Sequence, residues 1–166
     1  MFMDNNLDLS ESLRRAMRHW VAGVTVVTSF EPGERNGMTV NSFASISLDP
    51  PVVAVTLANN TRTYALVNHT GQFGVTILGE KEKELSDRFA GRMTNVTNRL
   101  EGVETFEMVS GVPLLKAGLA HLDCKVLFKY SLSNSTLFLG SVLAADWQEN
   151  GQPLVYFNRS YHRLLP

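Results

Sequence analysis

Gly37-Met38-Thr39-Val40-Asn41-Ser42-Phe43-Ala44-Ser45-Ile46-Ser47-Leu48-Asp49-Pro50-Pro51 opens a stretch that runs on through Val52 to Leu57 and ends in Ala58-Asn59-Asn60-Thr61-Arg62-Thr63. A strand that only builds a core alternates apolar and polar residues or is apolar throughout. Residues 38 to 47 read as strand and do neither. Thr39, Asn41, Ser45 and Ser47 share one parity, and Ser42 shares the other with Met38, Val40 and Ala44. Asn is depleted in strands, and a buried hydroxyl or amide without a partner costs about 1–3 kcal/mol. Two readings fit: an edge strand turning its polar face to water, or a surface whose donors and acceptors a ligand occupies.

Working outward, Asp49-Pro50-Pro51 fixes an extended corner, because proline restricts itself and the residue before it. The continuous apolar run Val52 to Leu57 reads as a central strand buried on both faces. Thr61 is placed to cap a short helix over 62–68. A helix start offers free N–H groups and partial positive charge, which suit a phosphate. Thr61 and Thr63 add hydroxyls there and Arg62 adds a guanidinium.

On the N-terminal side, residues 8 to 20 form an amphipathic pattern: Leu9, Leu13, Met17 and Trp20 on one stripe, with Arg14, Arg15 and Arg18 opposite. Asp8 and Glu11 stand in capping-box spacing. The stripe reads as core or subunit contact. Gly23 breaks the pattern, Val24 to Thr28 reads as a strand, and Pro32-Gly33 and Asn36-Gly37 are turn signals that return the chain antiparallel.

On the C-terminal side, strands are expected over 73–78, 120–131, 135–145 and 154–157, with a charged helix over 80–89 that turns Leu85 and Phe89 inward. Residues 91 to 105 lack periodicity and read as a binding loop or a surface excursion, with Arg92 and Arg99 as candidate anion contacts. The pattern gives a mainly β fold, an antiparallel barrel with peripheral helices, in one domain spanning 1–166.

Composition narrows the function classes. A net charge of −1 spread over 166 residues gives no basic field, so neither nucleic acid nor an anionic membrane is an expected partner. One cysteine, Cys124, excludes an internal disulfide framework, and the scattered histidines lack metal-ligand spacing, so no metal is expected. Met1-Phe2-Met3-Asp4-Asn5-Asn6 has no leader pattern, and no apolar run reaches the roughly 20 residues needed to span a bilayer. The expected location is the cytoplasm. The zinc helix, the nucleophile elbow and the phosphate loops are all missing. Hydride transfer is compatible with that absence, since a flavin or nicotinamide brings its own reactivity and the protein stacks the rings.

The opening stretch resembles the flavin-binding signature of the flavin reductase family with the FMN-binding split-barrel fold. The resemblance extends to Phe73-Gly74-Val75-Thr76-Ile77-Leu78-Gly79-Glu80, to Thr136-Leu137-Phe138-Leu139-Gly140, and to Pro153-Leu154-Val155-Tyr156-Phe157 with Tyr161-His162 after it. It implies a split β-barrel, Greek-key-like, in a homodimer that reduces FAD or FMN with NADH or NADPH. It also implies release of reduced flavin to a partner flavin-dependent monooxygenase, as in the reductase components for styrene and hydroxyphenylacetate. By position, Thr39, Val40, Asn41 and Ser42 would meet the isoalloxazine ring, with Ser45 and Ser47 beside them. Ala58, Asn59, Asn60, Thr61, Arg62 and Thr63 would hold the phosphate. Arg88 and Phe89 would lie near the flavin tail, and Tyr161 and His162 near the ring. Many members carry Gly-Asp-His before the Thr-x-Phe-x-Gly strand; here Ser133-Asn134-Ser135 stands instead. Ser135 and His162 are then the candidate nicotinamide contacts. The missing imidazole keeps open a second reading, a tight flavoprotein that reduces another substrate without releasing flavin. A third reading is a split barrel that binds no flavin.

Overall fold

The computed structural model describes residues 8–164; residues 1–7, which hold the stretch read for a leader, and residues 165–166 lie outside the described residues. Helix α1 (Leu9–Ala16) passes into a 3-10 turn, Met17–His19. Strands β1 (Ala22–Gly23), β2 (Thr25–Glu31), β3 (Glu34–Val40), β4 (Phe43–Leu48) and β5 (Pro51–Ala58) follow. Then come α2 (Arg62–Thr70), β6 (Gln72–Ile77), α3 (Lys83–Phe89), β7 (Thr105–Phe106) and β8 (Leu114–Leu115). Two long strands, β9 (Ala120–Ser131) and β10 (Ser135–Trp147), precede the hairpin β11 (Val155–Phe157) and β12 (Ser160–His162).

Seven strands form one antiparallel sheet in the order β3-β2-β6-β9-β10-β5-β4. Its two edges, β3 and β4, are consecutive in the chain, so the sheet curls back on itself without closing. This is a split barrel. The inside is filled by Val27, Val53, Val55, Leu57, Val67, Phe73, Val75 and Phe138, with α2 supplying Val67. A second layer covers the outside, where Val24, Val26, Leu78, Phe89, Leu100, Leu115 and Leu154 pack together. Neighbouring residues of β2 thus serve opposite cores: Val27 points in and Val26 out. Double-sided burial explains continuous apolar runs in an antiparallel sheet, where one wet face is the usual arrangement.

Several expectations change. The hairpin turns at Pro32-Gly33 alone; Asn36 and Gly37 lie inside β3, paired with Ser29 and Thr28. Gly37 answers to packing, since a Cβ there would meet the Phe89 ring at 3.0 Å. Gly23 belongs to β1, Trp147 pairs with Ala120 inside β10, and the C-terminal segment forms β12. The capping box does not form: the Asp8 carboxylate takes the Ser10 hydroxyl, and Glu11 pairs with Arg14 and Arg15. The stripe on α1 is no part of this chain's core. Leu9, Leu13, Met17 and Trp20 are 82%, 61%, 52% and 67% exposed.

Candidate functional site

At Val40 the chain leaves one edge of the sheet, and at Phe43 it joins the other. Residues 38–47 are therefore two strands with a break at Asn41 and Ser42, not one strand. The break accounts for much of the odd polarity. The Thr39 hydroxyl donates to the Ser86 carbonyl at 2.7 Å, and Thr25 donates to the Val40 carbonyl at 3.1 Å. The Ser42 hydroxyl donates to the Thr56 carbonyl at 2.7 Å and accepts the Thr56 N–H at 3.3 Å, pinning the crossover to β5. The exposed Asn41 carboxamide has no partner among the described residues.

Two grooves meet at this break. The inner one, of 230 Å³, is lined by Val24, Thr39, Val40, Asn41, Ser86, Ala90, Arg92, Tyr156 and Tyr161. The other, of 530 Å³, shares Asn41 and Tyr156 and adds Ser42, Phe43, Arg18, Trp20 and Arg159 among its walls. Tyr161 closes the inner groove. Its hydroxyl lies 2.8 Å from Ser86 Oγ, donates to Asp87 Oδ1 at 3.1 Å, and accepts from Arg92 at 3.2 Å. The Arg92 guanidinium stands 5.4 Å above the ring and is paired with Asp87 at 2.7 Å. Burial pushes the Tyr161 phenol above its ordinary value, opposed by the Ser86 hydrogen bond and the Arg92 charge. The Asp87 hydrogen bond holds Arg92 still more firmly charged.

The turn expected to hold phosphate is only partly available. The Thr61 hydroxyl caps α2, accepting the Tyr64 N–H at 3.2 Å, and donates to the Ala58 carbonyl at 2.8 Å. Thr63 is 1% exposed and donates to Asn36 Oδ1 at 3.2 Å, so its hydroxyl does not face a ligand. Asn59 ties the turn to the β9–β10 connection: it donates to the Leu132 carbonyl at 3.3 Å and accepts the Thr136 hydroxyl at 2.8 Å. The side chains of Asn60 and Arg62 remain exposed, Arg62 without an ion pair among the described residues. Thr61 also lies 3.6 Å from Met38 Sδ. The turn thus sits on the inner-facing side of β3, opposite Thr39.

Other expected residues are placed differently. Phe89 is fully buried in the outer core, and the Arg88 guanidinium is spent on the carbonyls of Arg99, Asn98 and Glu101. Both hold the 91–105 loop, and neither lines the inner groove. Arg99 likewise donates to the Phe89 carbonyl at 2.8 Å. Ser45 and Ser47 flank an irregularity on edge strand β4 and line neither groove. Ser135 pairs with Ala58 at the start of the turn expected to hold phosphate, whereas the exposed His162 belongs to the separate β1-β11-β12 sheet. They do not come together.

Ser86, Tyr156 and Arg159 were not singled out by sequence reading. Tyr156 lies within a quoted motif, and Asn158-Arg159 is legible as a two-residue hairpin turn once β12 is admitted. Ser86 gave no signal. Among the described residues no cluster of three or more His, Cys, Asp or Glu could hold a metal, and no helix is long and apolar enough to cross a membrane.

A flat heteroaromatic ring needs apolar walls and a few polar groups at its edge. Val24, Val40, Ala90 and Tyr156 supply the walls, and the Asn41 carboxamide with the peptide groups of the crossover supplies the edge. The residues fit a flavin ring. Comparison with known proteins agrees. The chain is 37% identical over 156 residues to an NADH-dependent flavin reductase of Pseudomonas fluorescens, covering 92% of this chain and 89% of that one. It is 32% identical to the reductase component of 4-hydroxyphenylacetate 3-monooxygenase of Thermus thermophilus, covering 95% and 98%. The structure of the NADH:FAD oxidoreductase of Streptomyces globisporus, in complex with NAD and FAD fragments, matches with a TM-score of 0.88 at 28% identity, covering 100% and 98%. The flavin reductase like domain matches residues 17–165, and the chain belongs to that family.

Proposed function

We propose that this chain is an NADH-dependent reductase of FAD or FMN that passes reduced flavin to a partner flavin-dependent monooxygenase. The observation that carries this reading is the Asn41–Ser42 crossover, an open polar break between two sheet edges, walled by Tyr156 and Tyr161. A bound flavin supplies the hydride-accepting ring, and NADH supplies the hydride. The chain's own residues bind, orient and exclude water. Asn41 offers both a donor and an acceptor to the ring edge. The Thr39–Ser86 and Ser42–Thr56 hydrogen bonds hold Val40 and the crossover rigid. Asn60, Arg62 and the first N–H groups of α2 take the flavin phosphate. Ser135 or His162 meets the nicotinamide from one side, in place of an imidazole at the β9–β10 turn.

The protein works as a homodimer in the cytoplasm, the dimer supported by the exposed stripe on α1. NADH is the expected donor in preference to NADPH. Steady-state oxidation of either nucleotide with excess FAD or FMN tests the reading; no oxidation above the protein-free rate refutes it. The second reading rests on Ser133-Asn134-Ser135. A flavin that stays bound through gel filtration and is not stimulated by added flavin favours the flavoprotein that keeps its cofactor.

A further inference from the structure

Ser86 is fully buried in α3 and touches both walls of the inner groove. Its carbonyl accepts the Thr39 hydroxyl at 2.7 Å as well as the Ala90 N–H at 2.9 Å, and its hydroxyl lies 2.8 Å from Tyr161 Oη. The Tyr161 proton goes to Asp87 Oδ1, so the Ser86 hydroxyl is the donor in its own pair. With Arg92 as the second donor, the phenol oxygen gives one hydrogen bond and accepts two, and has none left for a ligand. Tyr161 is a wall of the groove and not a proton source.

The two walls belong to different sheets. Thr39 and Val40 end β3 in the large sheet, whereas Tyr161 lies in β12, whose one strand partner among the described residues is β11. Helix α3 stands between them and is fixed from its other side by Phe89, three residues after Ser86 and fully buried in the outer core. Asp87 and Arg92 also hold Tyr161, but their side chains reach solvent, 26% and 49% exposed. Ser86 is the buried tether. At 230 Å³ the groove is smaller than the roughly 300–1,000 Å³ of ordinary ligand pockets, so a small change in wall separation alters how a flat ring sits in it.

We propose that Ser86 is a positioning residue for the reductase reaction: through one backbone and one side-chain contact it holds the Val40–Asn41 edge and the Tyr161 wall at a fixed separation, and so fixes the plane of the bound ring. This rests on the reading of that groove as the ring site. A residue of this kind acts on the geometry of transfer more than on affinity, because a loosened slot still takes the ring but holds it in fewer productive orientations.

Ser86→Ala removes the Tyr161 tether and keeps both the helix and the carbonyl that holds Thr39; Tyr161→Phe cuts the same bond from its other end. Each is expected to lower kcat for flavin reduction about tenfold while changing the KM for flavin less than about threefold, and to weaken the visible circular dichroism of riboflavin bound at saturation. The double variant is expected to match Tyr161→Phe, because the bond that Ser86→Ala removes is already gone there. Losses that multiply in the double variant overturn the proposal. So does a Ser86→Ala protein with wild-type kcat and dichroism, even if it melts at a lower temperature, since that assigns the serine to stability alone. Wild-type protein that binds riboflavin but oxidises neither NADH nor NADPH refutes the reductase reading, and the dichroism of the variants then decides whether Ser86 fixes the ring. Wild-type protein that binds no riboflavin refutes the ring site and the proposal together.

Discussion

Tyr161 concentrates three partners on one hydroxyl: Ser86 from α3, Asp87 beside it, and Arg92 from the loop. Ser86 is fully buried, so Tyr161→Phe leaves its hydroxyl without that partner and is expected to cost about 1–2 kcal/mol in chemical denaturation. The raised phenol also fixes a pH dependence. The fold favours the neutral form, so the stability linked to Tyr161 is whole below pH ~10 and is lost as pH climbs past that ordinary value. Wild type is expected to lose more stability than Tyr161→Phe between pH 9 and 11, measured by melting at each pH; parallel losses would place the burial penalty elsewhere. Sequence reading reached Tyr161 through its resemblance to a motif. It could not reach Ser86, because a serine in a charged helix carries no mark of what it faces. Thr61 caps α2 as the sequence implies, whereas Thr63 is buried against Asn36, so neither hydroxyl is left free for a phosphate. Hydroxyls at a helix start suit a phosphate and a cap equally, and only the contacts to Tyr64 and Asn36 decide between them.

Among the elements, α2 and β10 carry separable predictions. With Thr61 and Thr63 engaged internally, Arg62 is the side-chain cation left at the start of α2. Arg62→Ala is expected to weaken FMN roughly three- to tenfold and riboflavin not at all, by fluorescence titration. Equal weakening of both ligands would move the phosphate away from this turn. Gly140 sits where β10 crosses the inner core, and a Cβ there would fall 2.5 Å from the Phe73 ring. Phe73 is fully buried, so Gly140→Ala is expected to destabilise by about 1–3 kcal/mol. An unchanged melting temperature would show that the core relaxes. Strands β2, β5 and β6 were legible because double-sided burial writes long apolar runs. The short β12 was missed, since three residues of mixed polarity do not establish a period, and β3 and β4 were merged because their break holds small polar residues that also occur in strands.

For the molecule as a whole, a sheet that nearly closes leaves α1 outside it, with its apolar stripe turned to solvent. Exposed apolar residues at helical spacing mark an interface when they are contiguous. The homodimer reading predicts that wild type sediments at twice the mass of one chain, and that Leu13→Glu with Met17→Glu shifts it toward monomer while the single-chain fold melts cooperatively. A wild-type monomer contradicts that reading. On the proposed function, flavin is a diffusible substrate rather than a fixed cofactor. The most direct measurement is anaerobic mixing of purified protein with NADH and a large excess of FAD, following the loss of flavin absorbance. On that reading, bleaching of many flavins per chain is expected. Bleaching that stops at one flavin per chain, or does not begin, would contradict it.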